Sequence, residues 1–206
     1  MGRNTIMLLT SLMLCSLLAA CTPMHAIKVK ENISLRNYSP AFTADMGEYK
    51  GKRITLLNFD NQARNTTNWD YLSEDKKISY SYDSYSVIHN YFWHSFDKAL
   101  KSIGMTVSNQ SEPDPHGPAM WMSLKSLNDA RFEVEVKIQK YIHSVSFAKM
   151  YIVTGEDIKP KDRIPKNLEA HAYRLTNKLY ETILTDPEFK AAFFKAAAEL
   201  GKPQSR

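Results

Sequence analysis

Residues 131–139, RFEVEVKIQ, alternate apolar and polar side chains without exception. Successive side chains of a β-strand point in opposite directions, so the apolar set covers one face of this strand and the charged set the other. A strand with one face on a core and one in water is typical of an antiparallel sheet. The stretch therefore predicts a half-solvated sheet, around which the rest of the chain can be interpreted.

Further strand predictions surround this stretch. Residues 120–127 precede it, and the pair Asn128-Asp129 between the two is a turn signal. Residues 144–154 follow it and are rich in apolar and β-branched side chains. Short apolar or alternating runs predict other strands at residues 53–59, 78–82 and 105–107.

Helical periodicity marks three segments. Apolar side chains recur every three or four positions between residues 84 and 103, and Gly104 is a typical residue after a helix end. A second stripe covers residues 168–183, and Asp186-Pro187 predicts the start of a third helix. Strands and helices do not alternate strictly. We therefore predict an α+β fold, a two-layer sandwich of one mostly antiparallel sheet with helices packed on one face.

The N-terminus predicts export. A basic start with Arg3 precedes an apolar run over residues 6–18, which is too short to span a bilayer. This pattern is typical of a secretory signal peptide. The run leads into residues 18–21, LAAC, where two small residues directly precede a cysteine.

The sequence LAAC resembles the lipobox of bacterial lipoproteins. The resemblance implies that residues 1–20 are removed as a signal peptide and that Cys21 receives fatty acyl chains, such as palmitate. Two or more such chains hold a protein stably on a membrane. In the enterobacterial pattern an aspartate after the cysteine retains the protein at the inner membrane. Thr22 stands there instead, which implies an outer-membrane lipoprotein with its domain in the periplasm.

Cysteine usage and charge exclude several kinds of function. The chain has two cysteines; Cys15 leaves with the predicted signal and Cys21 is acylated, so cysteine catalysis and cysteine-ligated zinc are not expected. The formal net charge of +5 comes from interspersed lysines, arginines and acids. An exported chain also has little access to nucleic acid, and we predict no nucleic-acid partner.

The chain is predicted to be one domain on a tether. Residues 21–52 hold few large apolar side chains and are predicted to be a lipidated N-terminus and tether, with a docked strand within residues 27–35. About 30 extended residues would reach on the order of 100 Å. Residues 53–201 are predicted to form the single α+β domain, and residues 202–206 a C-terminal tail.

Catalytic motifs are missing from the sequence. It contains no glycine-rich phosphate loop, no G-x-S-x-G and no H-E-x-x-H. His89 and His94 are five positions apart, which places them about 140° apart around a helix, so they do not share a metal-binding face. We predict a non-catalytic protein that needs no metal or other cofactor.

Two stretches are candidate partner surfaces. The polar stretch 58–75 is interpreted either as a binding loop with aromatic anchors or as a solvated connection. The aromatic cluster at residues 91–93 is interpreted either as a wide buried helix face or as an exposed aromatic edge. The candidate partner-binding residues are Asp60, Asn61, Trp69, Tyr71, Tyr91 and Trp93.

The order of elements also carries a resemblance. The chain resembles small outer-membrane lipoproteins in its lipobox, the strand at 54–59, the segment FDKALKSIGMTV (96–107) and the later strands followed by helices. These lipoproteins are the YajG-like and LpoB-like proteins and the auxiliary lipoproteins of ABC-type lipid transporters. This resemblance implies a membrane-anchored, non-catalytic adaptor or accessory protein that contacts another envelope protein. The alternative is a carrier of lipid or a small apolar ligand, which would need an apolar cavity between helices and sheet.

Overall fold

A computed structural model describes residues 25–28, 32–63, 66–72, 78–109, 117–141 and 144–200. The predicted signal peptide, Cys21 and the tail at 202–206 lie outside the described residues. The helices are α1 (Ile88–Ser102), α2 (Pro165–Thr185) and α3 (Pro187–Leu200). The strands are β1 (His25–Lys28), β2 (Arg53–Leu56), β3 (Asp60–Asn61), β4 (Asn68–Leu72), β5 (Ile78–Asp83), β6 (Thr106–Asn109), β7 (Ala119–Asn128), β8 (Arg131–Tyr141) and β9 (Ser144–Thr154).

The strands form two sheets. The large sheet has the order β6-β2-β7-β8-β9, with β3 also paired to β7, and the small sheet has the order β1-β5-β4. The long strands β7, β8 and β9 pair antiparallel, whereas the short strands β2, β3 and β6 add parallel pairs. The predicted α+β class is confirmed.

The alternation along β8 places the core. Phe132, Val134, Val136 and Ile138 are fully buried, and the charged residues between them are only partly buried or exposed. The three helices contribute their apolar stripes to the same core. None of these helices is both long enough and apolar enough to cross a membrane.

Two helix boundaries follow the predicted signals, whereas α1 begins at Ile88 and not near residue 84, because Ser84 forms a β-bridge with Ile33. Gly104 has a φ of +83°, and hydrogen bonds from the Met105 amide to the Leu100 carbonyl (3.1 Å) and from the Gly104 amide to the Lys101 carbonyl (3.0 Å) end α1. This pair of bonds is the glycine-terminated helix end that the sequence predicted. Helix α3 begins at Pro187, and the preceding Asp186 caps it through the Glu188 amide (3.1 Å).

The interpretation of residues 58–75 as one polar connection is wrong for β4. Asn68–Leu72 pairs antiparallel with β5, so that Trp69 lies opposite Tyr82 and Tyr71 opposite Tyr80. The two aromatic residues of β4 point into the core, while Asn68, Asp70 and Leu72 face outwards. Outward polar residues gave the stretch a loop-like composition, which concealed a half-buried strand.

The predicted tether over residues 21–52 is also wrong for residues 32–52. Ile33 and Tyr49 are fully buried in the core, and Leu35, Tyr38 and Met46 nearly so. Residues 32–50 form a strap that runs along α2 and adds its apolar side chains to the domain. Before the strap, β1 pairs parallel with β5, and it overlaps the docked strand predicted at residues 27–35 only at residues 27 and 28.

One stripe of α2 holds the strap. Its members are four positions apart and therefore lie along one side of the helix: Glu169, Tyr173, Asn177 and Glu181. They accept hydrogen bonds from strap amides of Ser34 (3.3 Å), Asn37 (3.1 Å), Ala41 (3.3 Å), Thr43 (3.0 Å) and Ala44 (2.7 Å). Burial acts to raise the pKa of Glu181, but these hydrogen bonds outweigh it, and the pKa lies below its usual value. The strap is thus fixed along its backbone.

Candidate functional site

Strand β9 forms one edge of the large sheet. It pairs with β8 along its length, from Thr154 opposite Arg131 to Ser144 opposite Tyr141. Within the described part of the chain, no strand pairs with the other side of β9. An unpaired strand edge presents backbone donors and acceptors on which a strand of another chain can pair. The edge of β9 is eleven residues long.

The outer face of β9 carries exposed apolar side chains. Met150 is 44% exposed and Ile152 is 50% exposed, and they lie opposite Glu135 and Glu133 of β8. Val145, near the start of the strand, is also exposed. Natural edge strands commonly carry lysine or proline on such positions, which discourages pairing with other chains. The outer face of β9 lacks that protection at Met150 and Ile152.

The neighbouring part of the outer face is charged but internally paired. Lys125 and Lys137 contact Glu135 at 2.9 and 3.3 Å, and Arg131 contacts Glu133 at 2.7 Å. The hydrogen bond from Lys125 is the main reason that the pKa of Glu135 lies below its usual value. Met150 and Ile152 therefore adjoin a surface whose charges already neutralise one another.

Lys149 is the one charged residue within β9, and it points to the helix side. Its Nζ lies 2.9 Å from Asp186 and 3.3 Å from Glu188, at the start of α3. The hydroxyl of Tyr151 donates to the same Asp186 carboxylate at 2.5 Å. An inward charge on an edge strand can oppose strand addition. Here the charge is paired within the domain, and these contacts fasten β9 to α3 instead.

A buried ion pair forms the second unusual cluster. The Arg163 guanidinium donates to the Asp129 carboxylate at 2.5 Å, and both side chains are almost fully buried. The same guanidinium lies over the rings of Tyr71 (3.9 Å) and Tyr80 (4.4 Å), in cation–π geometry. The Arg163 Nε is buried without a hydrogen-bond partner. The cluster joins the loop before α2, the small sheet and the β7–β8 turn.

The pKa of Asp129 depends both on its burial and on Arg163. Burial raises the pKa of Asp129 to about 6, although the Arg163 guanidinium acts in the opposite direction. The carboxylate accordingly depends on Arg163 for its charge near neutral pH. The tyrosine rings cover the guanidinium, and both charged side chains are almost fully buried. We assign the cluster a structural role.

A cleft of about 840 Å³ lies between the loop after β9 and helix α2. Its walls carry charges of both signs, including Glu156, Asp157, Arg174 and Lys178. Several are already engaged: Lys178 donates to the Thr154 carbonyl at 2.8 Å, and Asp157 accepts from the Tyr71 hydroxyl. Burial, with Arg174 nearby, lowers the pKa of His171. This open polar cleft does not suit an acyl chain, which needs an apolar wall.

Three predicted partner-binding residues lie in the core. Trp69 is 0% exposed and Tyr91 is 3% exposed, and Tyr71 is also buried. The Trp69 ring packs on Tyr82 and donates from Nε1 to Ser84 Oγ at 3.3 Å. The interpretation of these three residues as exposed aromatic anchors is therefore wrong. Their large apolar area is used for packing the small sheet onto α1 and β8.

The other three predicted residues lie elsewhere on the surface. Asp60 and Asn61 form β3, where the Asp60 carboxylate accepts from Ser123 at 3.2 Å. Trp93 is half-buried and donates to the Leu57 carbonyl at 3.2 Å. It lines a surface cleft of about 440 Å³ together with His89 and other residues. The six predicted residues do not form one surface.

In the part of the chain that the structure describes, no three His, Cys, Asp or Glu side chains stand close enough together to hold a metal ion.

The edge of β9 is the surface that sequence reasoning missed. Residues 147–153, FAKMYIV, are apolar at both alternating sets of positions, so their pattern does not show which side chains face water. The position of β9 at the end of the sheet depends on pairing between distant segments, which periodicity does not report. An available signal was the absence of glycine and proline over eleven residues of β-rich sequence.

Comparison with known proteins gives a likeness of fold. No family model matches the chain, and no curated protein matches it. The crystal structure of protein XCC0632 from Xanthomonas campestris, a DUF330 protein, superposes with a TM-score of 0.52, covering 86% of this chain and 99% of that one at 5% identity. The likeness shows the fold alone. The crystal structure of an uncharacterized protein matches with a TM-score of 0.39 and 7% identity, over 77% of this chain and 99% of that one.

Proposed function

We propose that this protein is a lipid-anchored, non-catalytic adaptor of the bacterial cell envelope, which binds a protein partner at the edge of β9. The observation that carries the proposal is the eleven-residue edge of β9, which no described strand pairs with, and the exposure of Met150 and Ile152 beside it. The sequence LAAC supports lipidation of Cys21, and Thr22 favours the outer membrane with the domain in the periplasm. Such a protein requires no cofactor.

Strand addition explains how this surface would recognise a partner. Backbone hydrogen bonds between β9 and an extended partner segment supply affinity, and pockets or contacts for alternate side chains supply specificity. Met150 and Ile152 lie two positions apart and therefore on the same face. A partner strand with apolar residues on that face would bury both side chains. The paired charges of β8 would remain at the margin of the interface.

No specific observation favours the alternative of a lipid carrier. The space between helices and sheet is filled by packed rings: Phe92 contacts Phe59 at 5.4 Å and Phe132 at 5.2 Å between ring centroids. Phe96 and Tyr180 pack at 4.6 Å in the same layer. The carrier hypothesis therefore stays a prediction from the sequence.

Site-specific photo-cross-linking in cells tests the proposed surface. A photoreactive amino acid at Ile152 is expected to give a discrete protein adduct, whereas the same probe at Tyr85, which is also well exposed, is expected to give none. The same probe at Val145 should give an adduct in the wild type and none in the Met150→Lys/Ile152→Lys variant. Lysine faces Glu135 and Glu133 at these positions, so the variant should keep its stability within about 0.5 kcal/mol.

The control for this variant is Tyr85→Lys, which adds the same charge to another exposed site. It should leave the adduct from Val145 unchanged. Equal adducts from Ile152 and Tyr85, or an adduct that survives the double lysine substitution, would contradict binding at β9.

A further inference from the structure

The N-terminal chain enters the domain at one end of the small sheet. His25, the first residue of β1, lies opposite Ile78, the first residue of β5, and Leu72 ends β4 beside Ser79. His25, Leu72 and Ile78 therefore mark one end of the sheet, which we call the hairpin end. This location deepens the proposed function, on which it rests, because it fixes where the lipid anchor leaves the domain.

The distance between the anchor and the hairpin end is short. Four residue steps separate Cys21 from His25. A fully extended chain covers at most 3.3–3.6 Å per residue, so this link reaches about 14 Å at most. The long reach expected from a 30-residue tether does not apply, because β1 and the strap are packed on the domain. An acylated Cys21 would hold the hairpin end next to the headgroups.

Exposed apolar side chains surround this end. Ile27 of β1 is 38% exposed and Leu72 is 44% exposed. Ile164 is 49% exposed and follows Arg163, whose guanidinium packs on Tyr71 and Tyr80. Tyr71 precedes Leu72 in β4, and Tyr80 is the strand partner of Ile27. The register places Ile27 and Leu72 on opposite faces of the small sheet, so the three side chains flank the hairpin end rather than form one patch. Apolar side chains on both sides of the exit of a lipid anchor suit the headgroup–acyl boundary.

Charge has little part in this surface. The loop before α2 exposes Lys159 and Lys161, and the first turn of α2 exposes Lys166, but the loop also carries the acids Glu156, Asp157 and Asp162. Residues 73–77, SEDKK, which join Leu72 to Ile78, add two acids and two lysines. Lys28 of β1 lies 3.6 Å from Asp83. The balance of signs makes contact with the bilayer depend on the anchor and on apolar side chains, rather than on anionic lipid.

We infer that the hairpin end rests on the lipid surface that holds Cys21, with Ile27, Leu72 and Ile164 in contact with the bilayer. The lipid anchor and these side chains together fix the orientation of the domain. The β9 edge is then presented to a partner from a domain that lies on the membrane, rather than from one on a long flexible tether.

Fluorescence quenching by lipid tests this orientation. The full chain is expressed with Leu72→Cys or Lys195→Cys, purified after processing, labelled and reconstituted in phosphatidylethanolamine–phosphatidylglycerol vesicles containing a headgroup nitroxide lipid. The engineered cysteine is the single free thiol if Cys15 is removed and Cys21 is acylated. Lys195 is an exposed control on α3, one turn before Glu199, which pairs with Lys140 at the far end of β8 from the small sheet.

The label at Leu72 is expected to be quenched severalfold more strongly than the label at Lys195, without dependence on the phosphatidylglycerol content. Equal quenching of both labels on acylated protein would overturn this inference alone. Intact mass of the same preparation reports acylation. A mass without acyl groups would overturn the proposed function, and the inference with it.

Discussion

Arg163→Met is expected to lower the free energy of unfolding by about 3–5 kcal/mol, more than the loss of an exposed ion pair would. Removal of one member of a buried ion pair leaves the other charge buried without compensation. Asp129 would lose its 2.5 Å partner, and Tyr71 and Tyr80 would lose the guanidinium between them. Urea unfolding of residues 21–206 with Cys21→Ser measures the loss.

The loss should grow with pH. Burial raises the pKa of Asp129 to about 6 in the folded protein, above its ordinary value of 3.8, so the folded state binds more protons between these values. Stability from this group therefore falls as pH rises through that window. Without Arg163 the pKa should rise further, and the deficit of Arg163→Met should be larger at pH 8 than at pH 5.

Two variants control this prediction. Arg131→Met removes an exposed ion pair with Glu133 and should cost less than about 1 kcal/mol. Asp129→Asn added to Arg163→Met removes the unpaired charge and should restore part of the stability. A loss for Arg163→Met as small as that for Arg131→Met, and independent of pH, would show that the buried pair does not hold the loop.

Trp69→Ala is expected to cost about 3–5 kcal/mol, because it deletes a fully buried ring from the core. The Trp69 ring contacts Tyr82, Tyr91 and Phe132, and so joins the small sheet to α1 and β8. The same urea titration measures this loss. Trp93→Ala is the matched control, since Trp93 is only half-buried and should cost clearly less.

This pair of variants also separates two interpretations of the aromatic residues. A tryptophan that anchors a partner can be removed without unfolding the domain, whereas a core tryptophan cannot. Full stability of Trp69→Ala with loss of the partner adduct would return Trp69 to the binding surface and contradict its burial.

Local periodicity accounts for the part of the fold that was predicted. The alternation in β8, the turn at Asn128-Asp129 and the helix end at Gly104 each depend on residues within a few positions of one another. Such local signals are strong in a sequence. Strand β9 was predicted with its observed limits for the same reason.

The parts that were missed depend on distant contacts. The strap has no period, because the stripe of α2 fixes its backbone from about 137 residues away in sequence. Trp69 stands among polar residues, and only pairing with β5 shows that it faces the core. The exposed side of β9 likewise follows from its place at the end of the sheet. Site prediction failed where tertiary pairing, rather than composition, decides exposure.

The most direct test of the anchored adaptor compares wild type with Cys21→Ala, both carrying a photoreactive amino acid at Ile152. We expect wild type in the outer-membrane fraction with one dominant adduct, and Cys21→Ala to lose both, because the anchor concentrates the domain near its partner. The same location and the same adduct in both chains would contradict the account.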